Sequence, residues 1–169
     1  RLTLAQLNPT VGDLAGNARM ARAAWEEGRA AGADLVALPE MFITGYNTQD
    51  LVQKRAFHQA AIAAIEALAR DCAEGPALAI GGPALEGIGL YNAYYILQGG
   101  VVRARVLKHH LPNETVFDEV RLYESGPVAG PYMVAGVRIG SPICEDAWHE
   151  DVAETLAETG AEILLVPNG

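Results

Sequence analysis

The chain has 169 residues, half of them apolar and a fifth charged, which is enough for one globular domain with its own core. Its net charge of −9 comes from acidic residues scattered through predicted helices, with no basic patch, so nucleic acid is excluded as a partner. No apolar run approaches the roughly 20 residues of a membrane helix, and the first residues lack the layout of a signal peptide, so we expect a cytoplasmic location and no membrane partner.

The cysteine content and the two ends of the sequence lead to further expectations. Cys72 and Cys144 are too few for a disulfide framework, so both are expected to be free thiols. The sequence begins at Arg1 inside a strand pattern and stops at Gly169 directly after another strand, which predicts a fragment of a longer chain. No internal repeat or low-complexity linker occurs, so no second domain is expected within these residues.

The first half of the chain alternates strand and helix patterns. Asn8-Pro9 ends a short buried strand, Gly32 ends an amphipathic helix, and Gly75-Pro76 ends an alanine-rich helix. Thr48 is suited to cap a helical region before that second helix. The predicted elements are a strand at 2–7, a helix at 16–31, a strand at 34–38, a helical region from 48, a helix at 57–72 and a strand at 77–80, which a turn at Gly81-Gly82-Pro83 ends.

The second half begins with a predicted hairpin, in which strands at 92–97 and 101–107 are joined across Gln98-Gly99-Gly100. Residues 109–131 lack a clear period apart from a short stretch at 117–122, which predicts a long loop that crosses the functional site. A strand at 134–139, a helix at 148–159 and a strand at 162–166 follow. Together the elements predict a mixed-sheet α/β layer with helices outside.

Cys144 ends an alternating apolar stretch in the run GVRIGSPICEDAW, and acidic, helix-forming residues follow it. A lone cysteine at the end of a strand is more often a small buried apolar residue than a nucleophile. Pro142, however, forces a turn or a sheet edge, and a helix start after Cys144 would place the sulfur near unpaired N–H groups that favour a thiolate. These two features favour Cys144 as a nucleophile. Cys72, at the end of the alanine-rich helix, has neither of them.

Glu40 and Lys108 each follow an apolar predicted strand, in ADLVALPEMFITGY and VVRARVLKHHLPN respectively. Taken singly, each is an ordinary charge at the end of a strand. The apolar residues that follow Glu40 predict a partly desolvated carboxylate, which is suited to act as a general base. A carboxylate, an ammonium group and the Cys144 thiol, each at the end of a strand, make a candidate catalytic set.

The four histidines leave other possibilities open: His58, His109, His110 and His149. Imidazole can activate a thiol, so a dyad of Cys144 with His109 or His110 is chemically possible, and the spacing neither supports nor excludes it. A metal site from residues 149–151 is disfavoured, because consecutive helix positions point apart. The glycine turns at 81–82 and 99–100 lack the lysine and the following helix of a P-loop, so no nucleotide pocket is predicted.

The motifs LPE at Glu40, LKHHLPN at Lys108 and PICEDAW at Cys144 occur in this order along the chain, which resembles the nitrilase, or carbon-nitrogen hydrolase, superfamily over its whole length. Among the branches of that superfamily, the segments TGYNTQDLV, LPNETVFDE and DVAETLAETGAEILLVPNG are most similar to the glutaminase domain of glutamine-dependent NAD synthetases. The resemblance implies an αββα sandwich with mixed sheets. Residues 1–169 would form an incomplete domain of this type, truncated at the C-terminus.

The resemblance also implies catalytic roles. Glu40, Lys108 and Cys144 would form a Glu-Lys-Cys triad, in which Glu40 takes the thiol proton as Cys144 attacks the side-chain amide of glutamine. Lys108 and the backbone N–H of Glu145 would stabilise the oxyanion. Hydrolysis of the resulting thioester would then yield glutamate and complete the release of ammonia.

Substrate binding is implied at two further positions. Glu119, in the segment VFDE, would meet the charged amino group of the substrate, and Tyr46, in TGY, would line the pocket. Glu114 departs from the pattern, because a tyrosine is expected after LPN. This departure bears on the details of glutamine recognition.

Partners and cofactors follow from the same resemblance. Glutamine is the expected substrate, and a separate synthetase domain, absent from this chain, would use ATP and Mg²⁺ with the released ammonia to amidate deamido-NAD⁺. Residues 1–169 are expected to need no cofactor or metal, and a homo-oligomer is expected. Two other functions stay open, namely a stand-alone nitrilase-type amidase for another small amide and a non-catalytic assembly module of the same fold.

Overall fold

The computed structural model describes residues 1–169 as eight strands and four α-helices. These are β1 (Leu2–Leu4), α1 (Leu14–Ala30), β2 (Leu35–Ala37), α2 (Arg55–Asp71), β3 (Ala77–Glu86), β4 (Gly89–Gln98), β5 (Val101–Leu107), α3 (Glu119–Leu122), β6 (Tyr132–Val134), β7 (Val137–Gly140), α4 (Glu150–Glu158) and β8 (Ile163–Leu164). Two 3-10 helices lie at Gln49–Leu51 and Cys144–Trp148. No helix combines the length and the apolar character needed to cross a bilayer.

The larger sheet has five strands in the order β1-β2-β3-β4-β5. β1, β2 and β3 are parallel because α1 and α2 serve as crossover connections between them. β3, β4 and β5 form an antiparallel meander. The predicted hairpin is confirmed, since Gly99 and Gly100 have φ of +60° and +84° and form the tight turn between β4 and β5. The helical region predicted from Thr48 is only a 3-10 helix, and Thr48 makes no capping hydrogen bond.

The smaller sheet has three strands in the order β6-β7-β8. The prediction of one strand at 134–139 is wrong, because a turn at Ala135 and Gly136, with φ of +49° and +81°, splits this segment into the β6–β7 hairpin. The predicted last helix begins later than expected, at Glu150, because Cys144–Trp148 form a 3-10 helix first. β8 then pairs in parallel with β7.

The two sheets pack face to face, and helices cover their outer surfaces. Alternate residues of β2 point to opposite faces: Val36 packs with Trp25 of α1 and Ile65 of α2 in one apolar cluster, and Leu35 packs in a second. That second cluster lies between the sheets, where Leu35, Tyr94 and Ile96 of the larger sheet meet Ile139 and Ile143. Leu156 of α4 lies against Gly140 on β7. The layer order is therefore helix, sheet, sheet, helix, as predicted for an αββα sandwich with mixed sheets.

β3 does not end at Gly81-Gly82-Pro83 as predicted but continues to Glu86. Pro83 is tolerated because β2 pairs only with Ala77–Ala79, so β3 has no neighbour on that side at Pro83. Gly81 has a different role: a Cβ atom there would lie 2.1 Å from the Met41 nitrogen and 2.7 Å from the Glu40 Cα atom. The absence of a side chain at Gly81 thus allows the backbone that carries Glu40 to pack directly on β3.

The Gly81→Ala substitution is expected to lower the stability of the fold and to displace the backbone of Glu40. The new methyl group collides with backbone atoms that cannot rotate away, so we expect the free energy of unfolding to fall by about 1–3 kcal/mol. Urea denaturation of the full-length protein measures this change. Gly130→Ala is the matched control, because a Cβ atom at Gly130 meets nothing within 4 Å. An equal effect of the two substitutions would contradict the packing role of Gly81.

Candidate active site

The structure brings the side chains of Glu40, Lys108 and Glu119 together in the interior. Glu40 follows β2, Lys108 follows β5, and Glu119 is the first residue of α3, inside the long loop that was predicted to cross the site. The Lys108 Nζ atom lies 2.7 Å from Glu40 Oε1 and 2.9 Å from Glu119 Oε2. All three residues are almost fully inaccessible to solvent. One ammonium group thus bridges two buried carboxylates.

The charged groups of this cluster shift one another's pKa values. Burial by itself would lower the pKa of Lys108, but the carboxylates of Glu40 and Glu119 outweigh it, and the pKa of Lys108 is raised. Burial, assisted by the negative charge of Glu40, raises the pKa of Glu119 against the opposing effect of Lys108. The lysine is therefore held as a cation beside two carboxyl groups, and Glu119 accepts a proton more readily than an exposed glutamate does.

The two carboxylate oxygens of Glu40 have different surroundings. Oε1 accepts hydrogen bonds from Lys108 Nζ at 2.7 Å and from Asn92 Nδ2 at 2.8 Å. Oε2 is buried and has no hydrogen-bond partner. A buried carboxylate oxygen without a donor is costly, and it is suited to accept a proton from a reacting group. The positions of Lys108 and Asn92 thus leave Oε2 as the basic oxygen.

Cys144 is half-buried and is the first residue of the 3-10 helix Cys144–Trp148. Its φ of +46° lies in the left-handed region, which residues other than glycine rarely adopt. Burial, together with the negative charge of Glu40, raises the pKa of the Cys144 thiol to about 11, and Lys108 opposes this rise. The expectation that the local N–H groups favour a thiolate is therefore wrong, because burial and the neighbouring carboxylate dominate. At neutral pH the thiol keeps its proton and needs a base to become a nucleophile.

Tyr46 and Glu119, the two predicted substrate contacts, are in contact with each other. The Tyr46 hydroxyl donates to Glu119 Oε1 at 3.0 Å, and the Tyr46 ring lies 6.3 Å from that of Phe117. Burial and the charge of Glu119 raise the pKa of Tyr46 far above its ordinary value, so the hydroxyl remains a donor at any physiological pH. Their roles toward a substrate stay predictions.

The backbone N–H of Glu145, the predicted oxyanion donor, lies in the first turn of the helix that Cys144 begins. N–H groups in the first turn of a helix have no acceptor inside that helix. The Cys144 N–H itself donates to the Pro167 carbonyl at 2.9 Å, and the Glu40 N–H donates to the Asn168 carbonyl at 3.3 Å. The segment after β8 therefore holds the backbone of both residues.

Two residues of the site were not predicted. Asn92 is fully buried in β4, and its Nδ2 atom contacts Glu40 Oε1 and, at 3.4 Å, Glu119 Oε1. Its signal in the sequence is a single amide side chain inside the apolar stretch GLYNAYYIL. Asp146 is also buried and accepts backbone hydrogen bonds near both Lys108 and Cys144. In the sequence it resembles an ordinary acidic residue at a helix start, so nothing local distinguishes it.

His109 and His110 form a separate group around Asp151. The His110 Nε2 atom lies 2.9 Å from Asp151 Oδ1, and the His109 Nδ1–H donates to the Gly126 carbonyl at 2.6 Å. Neither imidazole forms a hydrogen bond with Cys144. The structure thus gives the cysteine–histidine dyad no support. His109, His110 and Asp151 bring potential ligand atoms within 4.8 Å of one another, but Asp151 is exposed and is already paired with His110.

Of two cavities in the structure, one is lined by a predicted site residue and the other is not. The larger, about 820 Å³, lies between α2 and α3 and contains none of the predicted site residues. A second cavity of about 470 Å³ is lined by Glu145 and by loop residues that include Glu114 and Phe117. This cavity places the unexpected Glu114 beside the residue that follows Cys144.

The family comparison shows which family the chain belongs to. The profile of the family described as carbon-nitrogen hydrolase matches residues 1–169, which is the whole chain. The chain belongs to the carbon-nitrogen hydrolase family. In its fold, this carbon-nitrogen hydrolase domain is similar to the amidase from Nesterenkonia sp., with a TM-score of 0.81 over 99% of the domain and 64% of the amidase. At 24% identity, this second likeness concerns the fold alone.

Glutamine-dependent NAD(+) synthetases are similar to the carbon-nitrogen hydrolase domain in sequence and in structure. The Rhodobacter capsulatus protein is 63% identical over 169 residues, which are 100% of the domain and 31% of that relative. The protein of Xylella fastidiosa strain Temecula1 is 38% identical over 174 residues, covering 99% and 31% respectively. The structure of the Acinetobacter baumannii synthetase matches with a TM-score of 0.90 at 27% identity, over 99% of the domain and 32% of that chain. The chain thus spans about a third of the length of these relatives.

Proposed function

We propose that this domain is the glutaminase part of a glutamine-dependent NAD⁺ synthetase and that Glu40, Lys108 and Cys144 are its catalytic residues. The observation that carries the proposal is the unpartnered Oε2 atom of Glu40, held by Lys108 and Asn92 within electrostatic reach of the Cys144 thiol. The similarity to glutamine-dependent NAD(+) synthetases over the whole chain supports glutamine as the amide that is cleaved.

The first step is proton transfer and attack. Glu40 Oε2 takes the proton of the Cys144 thiol while the sulfur forms a bond to the amide carbon of glutamine, and the carbonyl electron pair moves onto oxygen. Lys108 Nζ and the Glu145 N–H are proposed to stabilise the resulting oxyanion. One well-placed donor of this kind lowers the barrier by about 3–4 kcal/mol. Because the pKa of the thiol is about 11, attack without a base would be slow at neutral pH.

The second step breaks the carbon–nitrogen bond. The oxyanion re-forms its carbonyl, the departing nitrogen takes the proton from Glu40, and ammonia leaves a thioester on Cys144. Water then gives a proton to Glu40 as its oxygen adds to the thioester carbon. The carbon–sulfur bond breaks, the sulfur regains its proton from Glu40, and glutamate is released. Glu40 thus acts as a base in each addition and as an acid in each departure.

Substrate recognition is assigned to Tyr46 and Glu119. A glutamine ammonium group that reaches Glu119 would share this carboxylate with Lys108 Nζ, which is 2.9 Å away. Tyr46 is half-buried, so it offers the more accessible of the two contacts. Glu114 lines the cavity beside Glu145 and is the residue through which recognition would differ from that expected with tyrosine at this position.

The proposal extends to the whole protein. A separate synthetase domain would use ATP and Mg²⁺ to amidate deamido-NAD⁺ with the released ammonia, while the domain formed by residues 1–169 needs no cofactor of its own. The protein is proposed to be cytoplasmic and homo-oligomeric. The length of the relatives, about three times that of the chain, supports the presence of such a further domain.

The Cys144→Ala variant of the full-length protein tests the proposal. It is expected to lose glutamine-dependent NAD⁺ synthesis and glutaminase activity, while synthesis from added ammonia continues. Cys72→Ala is the control, because Cys72 is buried in the apolar core against α1 and α2 and is expected to be dispensable for chemistry. Loss of both activities in Cys144→Ala, or of neither, would argue against the assignment. A thiol-reactive glutamine analogue that labels Cys72 in preference to Cys144 would do the same.

A further inference from the structure

Asp146 makes an unusual set of contacts for an acidic residue. Its side chain is only 2% exposed, and its carboxylate accepts hydrogen bonds from three backbone N–H groups. Oδ1 accepts from His109 at 3.1 Å and from His110 at 2.7 Å, and Oδ2 accepts from Ile143 at 3.0 Å. Hydrogen bonds to an ionised acceptor are roughly twice as strong as those between neutral groups.

These N–H groups belong to the two segments that carry the proposed reacting groups. His109 and His110 directly follow Lys108, and Ile143 directly precedes Cys144. Lys108 comes at the end of β5 in the larger sheet, whereas Cys144 comes after β7 in the smaller sheet. No strand ladder connects the two sheets. The Asp146 carboxylate is therefore a direct hydrogen-bonded link between the two segments.

We propose that Asp146 is a positioning residue that fixes the Cys144 sulfur relative to Lys108 across the gap between the sheets. This role rests on the proposed glutaminase function for its catalytic effect, but the positioning of Cys144 can be measured without glutamine. Asp146 is buried and accepts hydrogen bonds from three backbone N–H groups, so the proposed role is exerted through Lys108 and Cys144. The expected signature is a loss of kcat with KM unchanged.

The Asp146→Asn variant of the full-length protein is the sharpest test. Asparagine has the same size but presents an NH₂ group where one oxygen accepted an N–H, so at least one of the two segments is released. A displacement of about 1 Å between reacting groups can cost about 100-fold in rate, and we expect kcat for glutamine hydrolysis to fall by about that factor. Asp151→Asn is the matched control, because Asp151 contacts the His110 side chain but none of these backbone groups.

Alkylation with iodoacetamide gives the second measurement. The pH at which Cys144 reacts at half its maximal rate is expected to shift in Asp146→Asn but not in Asp151→Asn, because the thiol pKa depends on the distances to Glu40 and Lys108. Buried Cys72 reports global unfolding in the same experiment. The proposal is overturned if kcat is unchanged, if KM alone rises, or if Cys72 in Asp146→Asn becomes as reactive as Cys144. A wild-type protein without glutaminase activity would instead overturn the proposed function, and the alkylation result would still decide the positioning role.

Discussion

Replacement of Glu40 by glutamine is expected to slow amide hydrolysis by about 10²- to 10⁴-fold while it speeds the alkylation of Cys144. Glutamine can keep the hydrogen bonds that Oε1 accepts from Lys108 and Asn92, so the packing survives. It replaces the unpartnered Oε2 by an NH₂ group that accepts no proton. The variant thus lacks the proposed base but is expected to keep the packing around residue 40.

The opposite change in alkylation follows from the charges around the thiol. Glu40 raises the pKa of Cys144 and Lys108 lowers it, so removal of the Glu40 charge lets the thiol pKa fall below about 11. A larger fraction of Cys144 is then thiolate at pH 8. The rate of reaction with iodoacetamide as a function of pH, measured beside kcat/KM for glutamine, checks both effects. Exposed Glu124 provides the control variant Glu124→Gln. Slower alkylation, or retained hydrolysis, would contradict the role of Glu40 as the base.

Replacement of Lys108 by methionine is expected to affect both activity and stability. Loss of a cation at the oxyanion is expected to lower kcat by about 10²- to 10³-fold. Removal of one partner from a buried ion pair typically costs about 3–5 kcal/mol, and Lys108 has two buried carboxylate partners, Glu40 and Glu119. We therefore expect a loss of this size in the free energy of unfolding at neutral pH.

The stability loss in Lys108→Met is expected to depend on pH with a definite sign. The pKa of Glu119 is already raised by burial, and without the opposing lysine it rises further. A carboxyl group whose pKa is higher in the folded state destabilises the fold while ionised, and this effect fades as the pH falls from the raised folded pKa to the ordinary value near 4.5. Urea denaturation between pH 7 and pH 5 is therefore expected to show a shrinking difference from the wild type.

A second substitution separates the two effects of Lys108. The double variant Lys108→Met, Glu119→Gln removes one of the buried charges, so much of the stability is expected to return while activity stays lost. A stability deficit that does not change with pH, or one that the second substitution leaves intact, would contradict the proposed charge balance.

The placement of Glu40 and Lys108 at the same end of the larger sheet could be predicted, because it depends on strand direction. β5 is antiparallel to β4, and β4 is antiparallel to β3, so β5 runs in the same direction as β2 and ends at the same edge of the sheet. Residues that follow β2 and β5 therefore lie at the same end of the sheet, with β3 and β4 between them. A hairpin turn and a parallel crossover, both readable from sequence patterns, establish this shared end but not the 2.7 Å contact between the two side chains.

Other features could not be predicted because they depend on distant contacts. Local sequence around Cys144 favours a thiolate, and only the proximity of Glu40 together with burial reverses the sign of its pKa shift. The continuation of β3 through Gly81 reflects the close approach of the Glu40 backbone, which no pattern within β3 reveals. The same holds for Asp146, whose acceptor role requires the loop after β5 and the turn before Cys144 to be adjacent.

The segment after β8 has a mechanical consequence for the site. The Pro167 carbonyl accepts a hydrogen bond from the Cys144 N–H, and the Asn168 carbonyl accepts one from the Glu40 N–H, so the proposed nucleophile and its proposed base are both bound to one short chain segment. A substitution in this segment, distant in sequence from both residues, is therefore expected to disturb the proposed nucleophile and its proposed base together.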